Sequence, residues 1–183
     1  GLHKKAGIAG LIQTPGESAD DRAARRARAL DHLVAARDLG LTDEELASGA
    51  LILAEEAEAL AEQGVEAYAV LDFETARARF ERALHYDTDH LAARNHLAVT
   101  LYQLGDYAGA AHHWREVMVV MESEELIPPE PIHLNLARAL VQDGDEIGAR
   151  GTLQRWLERN AENEDYAEYT ALTRDLLAAL ESD

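Results

Sequence analysis

The histidines are the first residues whose chemistry has to be weighed, because eight of the 183 residues are histidine and imidazole is a common metal ligand. A zinc site typically takes histidines one helical turn apart on one helix face, with a carboxylate beside them. His85 and His90 lie on either side of a predicted turn, and adjacent side chains such as His112 and His113 are expected to point in different directions. The sequence therefore predicts no metal site and no cofactor.

Acidic residues give no better sign of catalysis. Glu55, Glu56, Glu58 and Glu62 follow one another as the solvated face of a helix, and no general base is positioned near them in the sequence. The chain has no cysteine, no Gly-rich phosphate loop and no Gly-x-Ser-x-Gly motif. We therefore expect a protein that is not an enzyme.

Charge narrows the class of partner. Residues 1–37 carry seven basic and four acidic side chains, so the remaining residues hold 10 of the 17 basic and 31 of the 35 acidic ones. A body with a charge of −21 repels phosphate backbones and anionic lipids. We expect neither nucleic acid nor membrane as a partner, and we interpret the cluster Arg25-Arg26-x-Arg28 as meeting the protein's own acid-rich surface or water.

The elements that would position any site are helices that repeat. Phe80 follows Ala76 in one segment and Trp114 follows Ala110 in another, and 34 residues separate Ala76 from Ala110. A third copy begins with Gly144-Asp145 and continues through Ala149 and Leu153. Apolar periodicity predicts a helix from about Thr42 to Val70, with a break near Ser48-Gly49, and a closing helix after Asn163 with the stripe Tyr169, Leu172, Leu176 and Leu180. Between them it predicts helices at Phe73–Tyr86, Leu91–Leu104, Tyr107–Glu122, Pro131–Gln142 and Glu146–Arg159.

These copies resemble the tetratricopeptide repeat family, whose pattern places a small residue at its eighth position, Ala at its twentieth and an aromatic residue at its twenty-fourth. The second copy, with Ala98, Gly105-Asp106-Tyr107 and Trp114, is the best match, whereas the third has Leu153 in place of the aromatic residue. The resemblance extends from about Ala57 to Asn160. It implies an all-α, right-handed superhelical solenoid of three helix hairpins, with additional N-terminal helices and a C-terminal capping helix.

The predicted organisation follows from this pattern. Residues 1–7 resemble a recombination-cloning scar, and the apolar residues after them form an arm that is expected to lie in a groove of this chain or a neighbour. The units, in chain order, are an N-terminal arm (1–17), an N-terminal helical region (18–56), three repeats (57–160, divided at about 57–90, 91–129 and 130–160) and a C-terminal capping helix (161–183).

The resemblance also implies where a partner binds, because the first helix of each unit lines the concave face in this family. Tyr68 and Tyr102 would anchor a ligand or pack against neighbouring helices, and Asn95 and Asn135 would bind the backbone of an extended peptide. Arg138 is the cation of this surface and would receive a carboxylate. The predicted groove comprises Ala61, Val65, Tyr68, Asn95, Val99, Tyr102, Leu134, Asn135 and Arg138.

The predicted function is non-catalytic recognition of a protein or peptide segment, apolar or basic in character, with homo-oligomerisation through the N-terminal region as a further expectation. Relatives that hold chaperone carboxylates use several Lys, Asn and Arg residues across this face, whereas this chain has Ala61 and Val65 in its first unit and no Lys in its repeats. One alternative is a secretion-type chaperone of the same architecture, and another is a regulatory protein that binds a metal or small molecule through histidines. A cytoplasmic location is the default expectation.

Overall fold

The computed structural model of the protein describes residues 18–39, 43–124 and 131–181, with only the backbone for residues 43–48. The predicted N-terminal arm (1–17) lies outside these residues. The described chain is helical and contains no strand. Its elements are α1 (Ala19–Asp38), α2 (Asp43–Ala69), α3 (Phe73–Tyr86), α4 (Leu91–Gln103), α5 (Tyr107–Ser123), α6 (Ile132–Gln142), α7 (Glu146–Asn160), a 3₁₀ turn (Glu164–Tyr166) and α8 (Ala167–Glu181).

The bounds predicted for α3 to α7 are confirmed to within one residue. Local capping explains this agreement, because Asp72, Asp106 and Asp145 precede α3, α5 and α7 and each accepts a hydrogen bond from the backbone N–H three residues later, at 3.1, 2.9 and 2.8 Å respectively. The break expected near Ser48-Gly49 is wrong, since α2 runs through it. A Cβ on Gly49 would lie 3.4 Å from the side chain of Leu33, so this glycine accommodates contact with α1.

Successive helices pack on one another from α2 to α8, and α1 packs on α2 and α3. The pairs meet at small residues. A Cβ on Gly64 would lie 2.6 Å from the ring of Phe80, and Ala76, Ala110 and Ala149 are completely buried. One hydrophobic core extends along the stack. The prediction of an all-α solenoid is confirmed, and none of the helices within the described ranges is both long and apolar enough to cross a bilayer.

Helix α1 is attached to the repeats by its buried face and by arginines. Leu30 is 1% exposed. Arg26 forms an ion pair with Glu56 of α2 at 2.7 Å, and Arg37 donates a hydrogen bond to the carbonyl oxygen of Tyr86 in α3 at 2.8 Å. Such partly exposed ion pairs contribute about 0–1 kcal/mol, so apolar burial dominates this attachment. The interpretation that the basic cluster meets the acid-rich surface of its own chain is confirmed for Arg26.

Helix α8 closes the stack through a polar contact in an apolar setting. His133 of α6 is 2% exposed, stacks on the indole of Trp156 with ring centroids 3.9 Å apart, and lies 2.7 Å from Thr173 Oγ1. Thr173 donates its hydroxyl hydrogen to the carbonyl oxygen of Tyr169 at 2.6 Å. The hydroxyl must therefore accept from His133, which places the imidazole proton on Nε2.

The apolar stripe predicted for this helix is partly wrong. Leu172 is 42% exposed, whereas Thr170 and Thr173 are buried. Leu176 and Leu180 do pack against the core. Thr173 faces inwards because His133, on the neighbouring helix, supplies the hydrogen bond that a buried hydroxyl requires.

The turns inside the hairpins differ in backbone strain. Gly105 and Gly144 have φ angles of +82° and +87° in the second and third hairpins, and Leu71 has a φ angle of +63° at the corresponding place in the first. Leucine adopts this left-handed conformation at a cost because its Cβ approaches the backbone. The side chain of Leu71 is 72% exposed, so no core contact offsets the cost.

Replacing Leu71 by glycine should stabilise the protein. Relief of the left-handed strain exceeds the larger entropy loss of glycine, which gives a net gain of about 0.5–1 kcal/mol in the free energy of unfolding. Denaturant titration measures it. Val70→Gly is the matched control, because Val70 is 75% exposed without a positive φ angle, and it should destabilise. A less stable Leu71→Gly variant would contradict the assignment of strain.

Acid should loosen the contact between α6 and α8. Burial lowers the pKa of His133 to about 3, from an ordinary value of 6.5. As the pH falls below 6.5 the unfolded chain takes up a proton that the folded chain does not, so stability is lost between pH 6.5 and 3. One such histidine accounts for about 1 kcal/mol between pH 7.5 and 5.5.

The measurement is thermal or denaturant unfolding at both pH values. His133→Phe keeps an aromatic ring against Trp156 and should reduce the pH dependence by that amount. Equal pH dependence in His133→Phe and the wild type would show that His133 does not carry it.

Candidate functional site

The predicted groove contains a cavity between α4, α5 and α6, with a volume of about 260 Å³. Four of its residues belong to the predicted groove, and two, Gln103 and Trp114, do not. All except Trp114 lie on the first helix of a hairpin. The lining residues are Val99, Tyr102, Gln103, Trp114, Asn135 and Arg138.

Trp114 forms the inner wall of the cavity. It is 3% exposed, and its indole Nε1–H donates to Asn95 Oδ1 at 2.8 Å. Indole is a donor only, so a buried tryptophan requires an acceptor of this kind. The amide oxygen of Asn95 is therefore a structural acceptor for Trp114. The sequence analysis, which predicted that Asn95 binds a peptide backbone, missed this role.

Tyr102 lies at the edge of the same aromatic cluster. Its ring is half-buried, with centroids 5.2 Å from Tyr107 and 6.1 Å from Trp114. Tyr68 makes a similar contact with Phe73 at 5.2 Å, in the first hairpin and outside the cavity. Both tyrosines pack against the core, as one of the two interpretations held, and Tyr102 also presents a face to the cavity.

The lining of the cavity combines apolar and polar groups. Val99, Tyr102 and Trp114 supply apolar surface, and Asn135 is half-buried. Arg138 is exposed and forms no hydrogen bond or ion pair with any residue in the described ranges. It is the cation of this lining. The site is therefore suited to an apolar group flanked by hydrogen-bond acceptors or a carboxylate.

Comparison with known proteins identifies a likeness in fold. No protein-family model matches the sequence, and no curated protein matches it. Among solved structures, the chain is similar to the N-terminal domain of stress-induced protein-1 (STI-1) from C. elegans, with a TM-score of 0.57 and 17% identity over 70% of this chain and 97% of that one. The fold is tetratricopeptide-like. At this level of identity the likeness concerns the fold alone.

The prediction that Ala61 and Leu134 are exposed in the groove is wrong. Ala61 is 6% exposed and Leu134 is 1% exposed, and both belong to the core. Each lies three residues before a packed small residue, Gly64 or Ala137, and residues three apart share a helix face. Val65 is 43% exposed, as expected, but it lies outside the cavity.

Gln103 was missed although the sequence contained its signal. It follows Val99 by four residues and so lies on the same face of α4. Trp114 was identified only as a packing residue, because it lies on the second helix of its hairpin. Its reach into the cavity depends on the contact between three helices, which periodicity within a single helix does not report.

Among the described histidines, His90 and His96 have structural contacts. His90 precedes α4, where its Nδ1 accepts a hydrogen bond from the backbone N–H of Ala93 at 3.3 Å, and His96 stacks on Phe80. His112 is exposed and His113 is half-buried, and the two rings lie on either side of Glu116. Both rings approach the carboxylate of Glu116.

Asn95 and Asn135 should respond differently to truncation. Asn95→Ala leaves the buried indole N–H of Trp114 without its acceptor, which should cost about 1–3 kcal/mol of unfolding free energy. Asn135→Ala is the matched control and should change stability by less than about 0.5 kcal/mol, as is usual away from buried networks. Chemical denaturation measures both. Equal losses in the two variants would contradict the role assigned to Asn95.

Proposed function

We propose that the protein is a non-catalytic scaffold that binds an extended segment of another polypeptide across α4 and α6. The observation that carries the proposal is the cavity formed by Val99, Tyr102, Trp114, Asn135 and Arg138 on the first-helix face of a tetratricopeptide-like stack. Repeats of this kind generally use that face for extended ligands. In the described residues, the groups of this cavity include no nucleophile paired with a base, which favours binding over catalysis.

The cavity favours an apolar anchor side chain. One water occupies about 30 Å³ of the liquid, so a site of about 260 Å³ has room for a large side chain of a peptide. Tyr102 and Trp114 offer flat apolar walls of the type found at the energetic centres of interfaces. A basic anchor is disfavoured because Arg138 would repel it.

The polar groups of the cavity would hold the ligand backbone. Asn135 and Gln103 each offer an amide donor and an acceptor, and Arg138 offers donors for a carbonyl or carboxylate. The excess of acidic side chains in the chain as a whole would attract basic residues flanking the anchor, mainly by raising the association rate. The proposed ligand therefore has an apolar anchor and basic flanks.

A displayed library of random dodecapeptides, selected against the full chain, tests this proposal. Selected peptides should share an apolar anchor, and Tyr102→Ala should weaken their binding by about 30-fold, which corresponds to about 2 kcal/mol. Tyr169→Ala on α8 is the matched control and should bind as the wild type does. Fluorescence polarisation measures the affinities.

Arg138→Gln should weaken binding of the same peptides, whereas Arg155→Gln, an exposed change on α7, should not. Unchanged affinity in Tyr102→Ala would exclude this cavity as the binding site. A large fall in the melting temperature of Tyr102→Ala would make Tyr102 a core residue. Self-association through the N-terminal arm and first helix is one narrower form of the proposal, and a role as a secretion-type chaperone is another. The mass of the protein by light scattering, with and without peptide, separates self-association from peptide binding.

A further inference from the structure

A group of three metal-ligand side chains lies on α5, away from the groove. His112 Nε2 is 3.6 Å from Glu116 Oε1, and His113 Nδ1 is 3.7 Å from Glu116 Oε2. One ligand atom from each of the three side chains lies within 4.8 Å of the others. Successive residues of a helix are about 100° apart, so a glutamate one turn after two adjacent histidines lies between them.

These distances are close to those of a metal site. Two ligands at about 2.1 Å from a tetrahedral ion are separated by about 3.4 Å, so small side-chain rotations would bring the three groups to one centre. The side chains of His112 and Glu116 are 62% and 41% exposed, which leaves them free to make such adjustments. Imidazole with carboxylate is a donor set for zinc, nickel, copper or cobalt rather than for calcium or magnesium.

One nitrogen of His113 is unsatisfied at this group of side chains. The Nδ1 atom is buried and has no hydrogen-bond partner. In the tautomer with its proton on Nε2, this nitrogen has a lone pair to offer to a metal ion. A buried polar atom without a partner is unfavourable, and a bound ion would satisfy it.

Arg94 fixes the carboxylate. Its guanidinium, which extends from α4, donates to Glu116 Oε2. It also donates to the carbonyl oxygen of Thr88, and this second hydrogen bond holds the arginine in place. Hydrogen bonds of this kind orient ligating carboxylates in metal sites. The positive charge of Arg94 also opposes a cation, so binding should be weaker than in a structural zinc site.

We propose that His112, His113 and Glu116 bind a divalent transition-metal ion, with Zn²⁺ as the representative. His112, Glu116 and Arg94 also line a cavity of about 750 Å³, and the metal would keep open coordination positions towards it. This cavity and the groove cavity share no residue. Metal binding and peptide binding are therefore separable properties.

Calorimetric titration of the full chain with Zn²⁺ at pH 7.5, repeated with Co²⁺ while its visible absorption is recorded, tests the proposal. We expect one site in the wild type, weakened at least tenfold in His112→Gln and in Glu116→Gln. The matched control is Glu58→Gln, which removes a carboxylate beside a single histidine, His90, and should bind metal as the wild type does. Tyr102→Ala should also retain the metal.

His112 is exposed, so His112→Gln should fold normally, and circular dichroism confirms this before titration. Two results would overturn the proposal. One is no binding to the wild type, and the other is binding that is equal in the wild type, His112→Gln and Glu116→Gln, which would place the metal on other histidines of the chain.

Discussion

Close approach of paired helices is the constraint on which the structure depends. Gly64 has the ring of Phe80 where a Cβ would be, and the alanines at the equivalent positions of the second helices have no exposed surface. Because the backbones are so near, each hairpin buries its own apolar face and then presents the other side to the next hairpin. The cavity lies in this stack where the first helices α4 and α6 meet α5.

Much of the fold could be predicted from the sequence because its rules are local. The period of 34 residues, the aspartates before α3, α5 and α7, and the apolar periodicity placed those helices to within one residue. Gly49 was misinterpreted for a reason of tertiary structure. It is buried next to Leu33 of another helix inside a continuous helix, and no local rule separates such a glycine from a helix break.

The site was less predictable because it depends on contacts between helices. The prediction that first helices line the groove identified Val99, Tyr102, Asn135 and Arg138, but it also included Leu134, which is buried in the core. The hydrogen bond from Trp114 to Asn95 joins two helices, as does the contact of His133 with Thr173. The partners are 19 residues apart in the first contact and 40 residues apart in the second, so neither contact can be read from local sequence.

Trp114 belongs both to the cavity and to the packing of the middle hairpin. The indole that walls the cavity also ties α5 to α4 through Asn95, so a polypeptide bound in the cavity would contact both helices where they join. A ligand that binds only the closed hairpin would lower the population of its locally open form, by a factor of one plus the ligand concentration divided by the dissociation constant. Backbone amides of α4 and α5 would exchange their hydrogens more slowly in the complex, and the partner would act as a brace for the centre of the stack.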